Sequence, residues 1–513
     1  MSKARNLATL LTTDGSVKPT KYADSVGGQS TFVASGTLPN GVPVILKADG
    51  TIEVVAGTVT NTAETIPTSS NVSFDTGTYN TSVSFDPSTT GVFVIAYVDG
   101  GNSSYGTAIV GNVSGTSISF GSPHVFNSGA NYEITVTFDP NTAGKIIISY
   151  RSATSGIALV GTLSGNSISF GANFLFNSSV CYNTTVAFDP NTAGKFVVAF
   201  RDGGNNSGNN GTAVVGTVSG TSISFSSKYV FNVNRSNTNS ISFDPSTAGK
   251  FVIGYADGGD SYYGKAIVGT LSGTSISYGT PAVFNTAYSN DVKVSSNPTI
   301  AGKFVIVYSD NGNSGYGTAL VASVSGNSVS FGSPVVFNDE GTTSFLTVSN
   351  QNATGRVAMF YRNETSGSFE GRAVVGIVTG NSITFSSQYV VNTGNTPYTS
   401  ISFDSTTVST VIFVYVEQAT SGNGAVKLAE MGSVTVGTNL TADNFIGIPN
   451  AAYADGETAT VKLQGSLATN LSGLTASETY YVQNDGTLDT TADSISVEAG
   501  KALSSTSILL KGI

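Results

Sequence analysis

The chain has 513 residues, a formal net charge of −10, 60 glycines and only 11% charged residues. Ser, Thr, Asn and Gly stand where Lys and Glu are usual, which suits short strands with tight turns and disfavours helices. The 22 basic residues are spread thinly, so no stripe neutralises phosphates and nucleic acid is excluded as a partner. Cys181 and His124 are each alone, which excludes a disulfide framework and a thiolate metal site and leaves a zinc site or catalytic triad a single histidine. No metal, cofactor or catalytic residue is expected. No apolar run reaches the length of a transmembrane helix, and MSKARNLATLL is too short and polar for a signal peptide.

In chain order, residues 1–30 read as a short helical start and an extended arm, and 31–65 as a β segment. Next comes an orphan run, Asn71-Val72-Ser73-Phe74, which looks like the fourth strand of a repeat unit; residues near 66–76 are expected to close the array from the opposite terminus. Ser433 to Val436 is the competing candidate.

Residues 66–432 carry seven copies of one unit, starting near 80, 132, 183, 237, 290, 344 and 397. One anchor is Phe-Asp-Pro, at Phe85, Phe138, Phe188 and Phe243, with degenerate copies at Ser296-Asn297-Pro298, Ser349-Asn350 and Phe403-Asp404. A second is the glycine at Gly106, Gly156, Gly211, Gly264, Gly317, Gly371 and Gly424. Each copy holds four alternating runs, in the first TSVSF, VFVIAY, TAIVGNV and SISF, punctuated by Gly, Asn, Asp and Pro. Period-two alternation with that punctuation predicts strands joined by hairpins. Four antiparallel strands per copy, seven times over, predict a seven-bladed β-propeller; a linear β-solenoid, with shorter coils, is the rival. Residues 433–513 are expected to form a small β domain joined by N-terminal strands, because Gly-x-Leu followed by Asp-Gly-Thr recurs at Gly36 to Thr51 and Gly465 to Thr487.

The turns between strands one and two, and three and four, hardly vary, whereas the other two connections differ from copy to copy. The variable end is therefore expected to be the binding face. Its candidate ligand residues are Asp99, Asp202, Asp257, Asp310 and Glu417 after the second strand, and Tyr105, Tyr263 and Tyr316 before the anchor glycine. Hairpin chemistry explains much of this pattern, since Asp and Asn bond their own backbone; the functional reading is a glycan surface of Tyr faces and polar side chains. The loops are rich in oxygen but lack calcium-loop spacing. Arg151, Arg201 and Arg362 share the position before that Asp. Sialidases hold a carboxylate with three arginines on a propeller, but their Asp-box (S-x-D-x-G-x-x-W) is absent here and the chain has no Trp.

The opening Ser2-Lys3-Ala4-Arg5-Asn6-Leu7-Ala8 and the tail from Asn439-Leu440-Thr441-Ala442-Asp443-Asn444-Phe445 to Lys511-Gly512 resemble virion proteins of tailed bacteriophages, of marine and cyanobacterial type. Those are tail fibres and related surface fibres. The resemblance implies a virion location and attachment to other virion proteins through the N-terminal arm or the C-terminal domain. It also implies a homo-oligomer in the particle and a propeller face that binds a host glycan or receptor. A purely structural decoration or connector protein is the alternative, and a sialidase-type hydrolase the third reading. The resemblance implies no catalytic residues.

Overall fold

In the computed structural model the described residues are 28–55, 57–61, 71–204, 209–351, 355–407, 410–418, 422–430, 434–484, 486–492 and 495–512. Most of the expected N-terminal arm, residues 66–70 of the expected closing strand and Ser433 lie outside them. The chain divides into two compact units, residues 64–432 and residues 1–63 with 433–513. Among the described residues the regular structure is all β, apart from three single 3-10 turns at Gly100–Asn102, Gly258–Asp260 and Asn311–Asn313.

In the larger unit one sheet is repeated. The first has an inner strand Thr78–Phe85, a second strand Val92–Asp99 and a third Tyr105–Ser114, all antiparallel. Its outer strand is split into Ser117–Phe120 and His124–Asn127, and both pieces pair with the third strand. Sequence reading ended this strand at Phe120; a three-residue break hides its continuation. The same order recurs in the next five sheets, and Tyr229–Phe243 and Ala282–Ser296 run unbroken from the outer strand of one sheet into the inner strand of the next. The seventh sheet comprises Ser400–Phe403, Thr410–Glu417 and Asn423–Glu430, and its outer strand is Val72–Asp75. Val434–Thr438 pairs instead with Gly57–Asn61 in the smaller unit.

The repeated residues each have a mechanical task. At the turn after the inner strand, Asp139 accepts the Asn141 amide at 2.9 Å with one oxygen. Its other oxygen accepts the Gly194 amide of the next sheet at 3.0 Å. Asp244 does the same for Ser246 and Gly302, and Asp404 for Thr406 and Gly91. The buried carboxylate is thus satisfied by amides and staples neighbouring sheets. In the sixth sheet this position is Gln351, whose amide bonds Arg356 O at 2.8 Å as Asp86 N bonds Val92 O, so the anchor falls one residue later than the sequence alignment placed it. Serines of one inner strand accept amides of the next, as Ser240 and Ser242 do from Val294 and Ser296, both at 3.0 Å.

Six of the seven anchor glycines support a phenylalanine ring; Gly371 instead faces Thr396. A Cβ on Gly106, Gly211 or Gly424 would lie within 2.5 Å of Phe126, Phe231 or Phe74. Those outer-strand phenylalanines pack in turn on the second-strand aromatic of the following sheet: Phe126 on Tyr150 at 5.4 Å, Phe176 on Phe200 at 5.1 Å, Phe231 on Tyr255 at 5.3 Å. Phe74 of the seventh sheet packs on Tyr97 of the first at 5.2 Å, in the corresponding place. Inner strand meets inner strand throughout, and residues 400–403 meet 78–85, so the series closes on itself.

The smaller unit has two five-stranded sheets and the two-stranded pair already given. One orders Gln29–Val33, Thr458–Leu463, Phe445–Pro449, Val44–Leu46 and Ile52–Val54; the other orders Leu467–Ala468, Ser507–Leu510, Val497–Ser504, Thr479–Val482 and Leu488–Asp489. Leu38, Val44, Ile52 and Val461 form one core, and Phe445, Ile448, Val482 and Ile508 another.

Candidate ligand-binding rim

The second strands deliver the sequence-predicted carboxylates to the variable end, where the aspartates accept from their own loops and three of them, Asp202, Asp257 and Asp310, also from the preceding sheet. Asp257 accepts from the Gly259 amide at 2.9 Å, from Asn232 Nδ2 of the preceding sheet at 3.0 Å and from Lys265 Nζ at 2.7 Å. Asp202 accepts from Gly204, Asn177 and Lys228 at 3.0, 3.1 and 2.7 Å. Burial opposes the ionisation of both, and the lysine and amide donors outweigh it, holding each below the ordinary aspartate range. Asp310 accepts from Gly312 and Asn285, and Asp99 from Asn102. These groups brace loops and bridge sheets. Glu417 is half-buried at the same position. Tyr105, Tyr263 and Tyr316 are half-buried opposite Asp99, Asp257 and Asp310 in the hairpin register. Among the described residues none of the three stacks on a ring or a guanidinium. His124 is half-buried with Nε2 3.2 Å from Ser167 Oγ. Cys181 lies in the core, where burial pushes its thiol up to about 11.

A different feature marks this end. Five residues before the end of each inner strand stands a non-glycine in the left-handed region: Asn80, Glu133, Asn183, Thr238, Asp291, Phe345 and Tyr398, with φ between 48° and 54°. In the first six sheets the pairing register shifts there, as between Tyr79 and Ser82, so each is a β-bulge that turns its neighbours outward. Such backbone is costly for a β-branched or aromatic residue and persists only where the surroundings hold it. Part of that hold comes from the bulges themselves: Glu133 accepts the Thr184 amide of the next sheet at 3.3 Å. Burial raises the carboxyls of Glu133 and Asp291 above their ordinary values.

The bulges carry aromatic rings, and the arginines stack on them. Arg151 lies 4.3 Å from the centre of Tyr132 and 5.2 Å from Tyr182, and Arg201 lies 4.2 Å from Tyr182. Tyr182 is therefore held between two guanidiniums. Arg362 stacks at 4.6 Å on Phe345, which packs at 5.2 Å on Tyr398, itself 6.4 Å from Tyr79. The rim is thus two arcs, Arg362–Phe345–Tyr398–Tyr79 and Tyr132–Arg151–Tyr182–Arg201, with Thr238 and Asp291 at the bulges between them. The structure brings Arg151 and Arg201 together over one ring. Arg362 is bound to Glu364, Ser344 and Asn395 and makes no contact with the other two.

Sequence reading singled out the arginines and missed the rings on which they lie. Tyr79, Tyr132 and Tyr182 recur at the start of the first three inner strands, which was the available signal. Phe345 and Tyr398 had none, because they sit one residue later, on the bulge, and only the fold aligns them.

No protein-family model and no curated protein sequence matches the chain. Solved structures similar to it include a Dyadobacter fermentans protein of unknown function (12% identity, TM-score 0.44, covering 72% of this chain and 99% of that one). Another is Saccharomyces cerevisiae Sqt1 (10% identity, TM-score 0.43, covering 77% and 98%). A third is the NanB sialidase of Streptococcus pneumoniae (13% identity, TM-score 0.42, covering 72% and 71%). Likeness at this level carries no function across to this chain.

Proposed function

We propose that residues 64–432 form a seven-bladed β-propeller whose aromatic–arginine rim binds a saccharide or receptor on a host surface. In this reading the chain is a virion protein of a tailed phage, a tail or surface fibre. The smaller β unit and N-terminal arm attach it to other virion proteins as a homo-oligomer, and no catalytic step is involved. The blade count is supported by seven successive sheets that share one hydrogen-bonding plan and close on themselves. The virion role is supported by the resemblance of the two chain ends to phage fibres.

One observation carries the binding reading: five aromatic rings and three guanidiniums are set out on a ring of costly left-handed bulges at the variable end. Flat apolar faces beside fixed donors suit sugar rings and their hydroxyls. Adsorption of the purified protein to host cells and their lipopolysaccharide tests this. Tyr132→Ala with Tyr398→Ala, at half-buried or exposed sites, should weaken binding about tenfold, the scale of losing stacked aromatic anchors. Unchanged adsorption of the folded double variant overturns the reading and favours a connector role, for which particle imaging should find the rim covered by neighbouring proteins.

A further inference from the structure

Three guanidiniums converge on one arc of the rim without the negative charge that would balance them. Arg201 is 8% exposed and has no carboxylate within ion-pair distance among the described residues. Its Nη1 donates instead to a neutral acceptor, Asn237 Oδ1, and its Nε has no hydrogen-bond partner among them. Arg235, exposed, donates from Nε to the same Asn237 oxygen at 3.4 Å. Arg151 shares Tyr182 with Arg201 and has one carboxylate nearby, Glu133 Oε1, 3.6 Å from its Nε. Glu133 also accepts the Thr184 amide, and burial disfavours its charge, so it is a weak counter-ion. Burial and the Arg235 charge lower the proton affinity of Arg201, the signature of crowded positive groups.

This crowding is costly in a chain of net charge −10, where carboxylates outnumber basic groups. The other basic side chains at the variable end find acids: Lys265 has Asp257 and Asp260, Arg362 has Glu364, and Arg372 has Glu340 and Glu370. Lysines such as Lys145, Lys195 and Lys250, which donate to threonine hydroxyls, follow the turn after the inner strand at the opposite end. Planar guanidiniums sharing a neutral oxygen are arranged to receive a planar or tetrahedral oxyanion, which would replace the amide as acceptor. Tyr132, 38% exposed, stands beside them with ring area for a sugar.

We propose that Arg151, Arg201 and Arg235, with Asn237 and Tyr132, form a subsite for an anionic saccharide, a sugar bearing a carboxylate or a phosphate. The proposal rests on the rim being a saccharide-binding surface and gives that surface its charge preference. Binding of galacturonate oligomers, glucose 6-phosphate and uncharged galactose oligomers to the full-length protein, measured by calorimetry at low and high salt, tests it. A charged probe should bind at least tenfold more tightly than the uncharged one and weaken as salt rises. Arg235→Ala, at an exposed position, should cost about tenfold for the charged probe and nothing for the uncharged one. Arg201→Lys keeps the charge but loses the fork, and should cost a similar factor. Which charged probe binds identifies the carboxylate or the phosphate as the group recognised. Charged probes binding as tightly to Arg235→Ala and Arg201→Lys as to the parent would overturn the anionic subsite while leaving the rim reading intact. Unchanged host-cell adsorption of the folded Tyr132→Ala, Tyr398→Ala variant, with charged-probe binding that still depends on Arg235, would do the reverse: it would overturn the aromatic rim and confine binding to this subsite.

Discussion

At one seam a single residue departs from the repeat. The outer-strand Asn177, Asn232, Asn285 and Asn338 each donate to the second-strand Asp202, Asp257, Asp310 and Asn363 of the next sheet, at 2.9 to 3.1 Å. Where the seventh sheet meets the first, the outer position is Asp75 and its counterpart Asp99, so a donor is replaced by a second acid. Tyr97 Oη donates to Asp75 at 2.6 Å. Burial first, and Asp75 second, raise the Asp99 carboxyl. A raised carboxyl keeps a proton in the folded chain that the unfolded chain has already lost. Its stabilising share is therefore complete below the ordinary aspartate value and declines as pH rises through the folded value. Stability should fall across that window, and Asp75→Asn should flatten the slope and add about 1 kcal/mol near neutral pH, the scale of one restored hydrogen bond. Urea unfolding at stepped pH would show it; a parent-like slope in the variant would refute the acid pair. At the anchor glycines the requirement is space: Gly211→Ala would put a Cβ 2.4 Å from Phe231 and should cost about 1–3 kcal/mol by the same measurement, as overpacking does.

Among elements, Val72–Asp75 has the largest leverage, because among the described residues it is the one strand of the larger unit that comes from before the repeats. Phe74 fills the place over Gly424 that Phe126 fills over Gly106, and it touches both Tyr97 and Phe120 of the first sheet. Phe74→Ala should therefore lower stability by about 2–3 kcal/mol, somewhat under the range for a fully buried Phe. Removing residues 1–76 should lower the melting temperature further and expose the edge of Asn423–Glu430 to aggregation. Removing residues 1–30 should leave that strand pairing in place; equal midpoints for the two truncations would show that the strand does not latch the ring. The run NVSF was visible in the sequence as a displaced fourth strand, although the structure matches it to the second outer piece, with Phe74 where Phe126 of His124–Asn127 stands. The break in the outer strands of the first six sheets was not visible, because three residues such as Gly121-Ser122-Pro123 read as the end of a strand. The break has a use: in the first six sheets it cuts off a four-residue outer piece, and an edge that short is a poor template for pairing with another chain.

For the molecule as a whole, closure of the larger unit uses only residues 72–430, and the smaller unit has cores of its own. A fragment of residues 64–432 should fold alone and melt close to the corresponding transition of the full chain, as calorimetry would record. The sequence by itself determined the β class, the repeating unit and its anchors. These follow from local rules: alternation sets strands, Asp-Pro and Gly set turns, and one ring over one glycine sets the spacing between sheets. It also marked the end of the repeat that varies. Only the tertiary structure decided which variable residues have free faces. Of the aspartates most prominent in the sequence, Asp202, Asp257 and Asp310 are spent on amides of their own loops, as hairpin chemistry suggested, and also on an asparagine of the preceding sheet 25 residues away, which no local pattern reveals. The rings of the rim became visible through the inner-strand bulges, whose left-handed residues share no residue type from Asn80 through Thr238 to Phe345. A backbone conformation imposed by seven neighbours on one another leaves no common side chain for a sequence pattern to find.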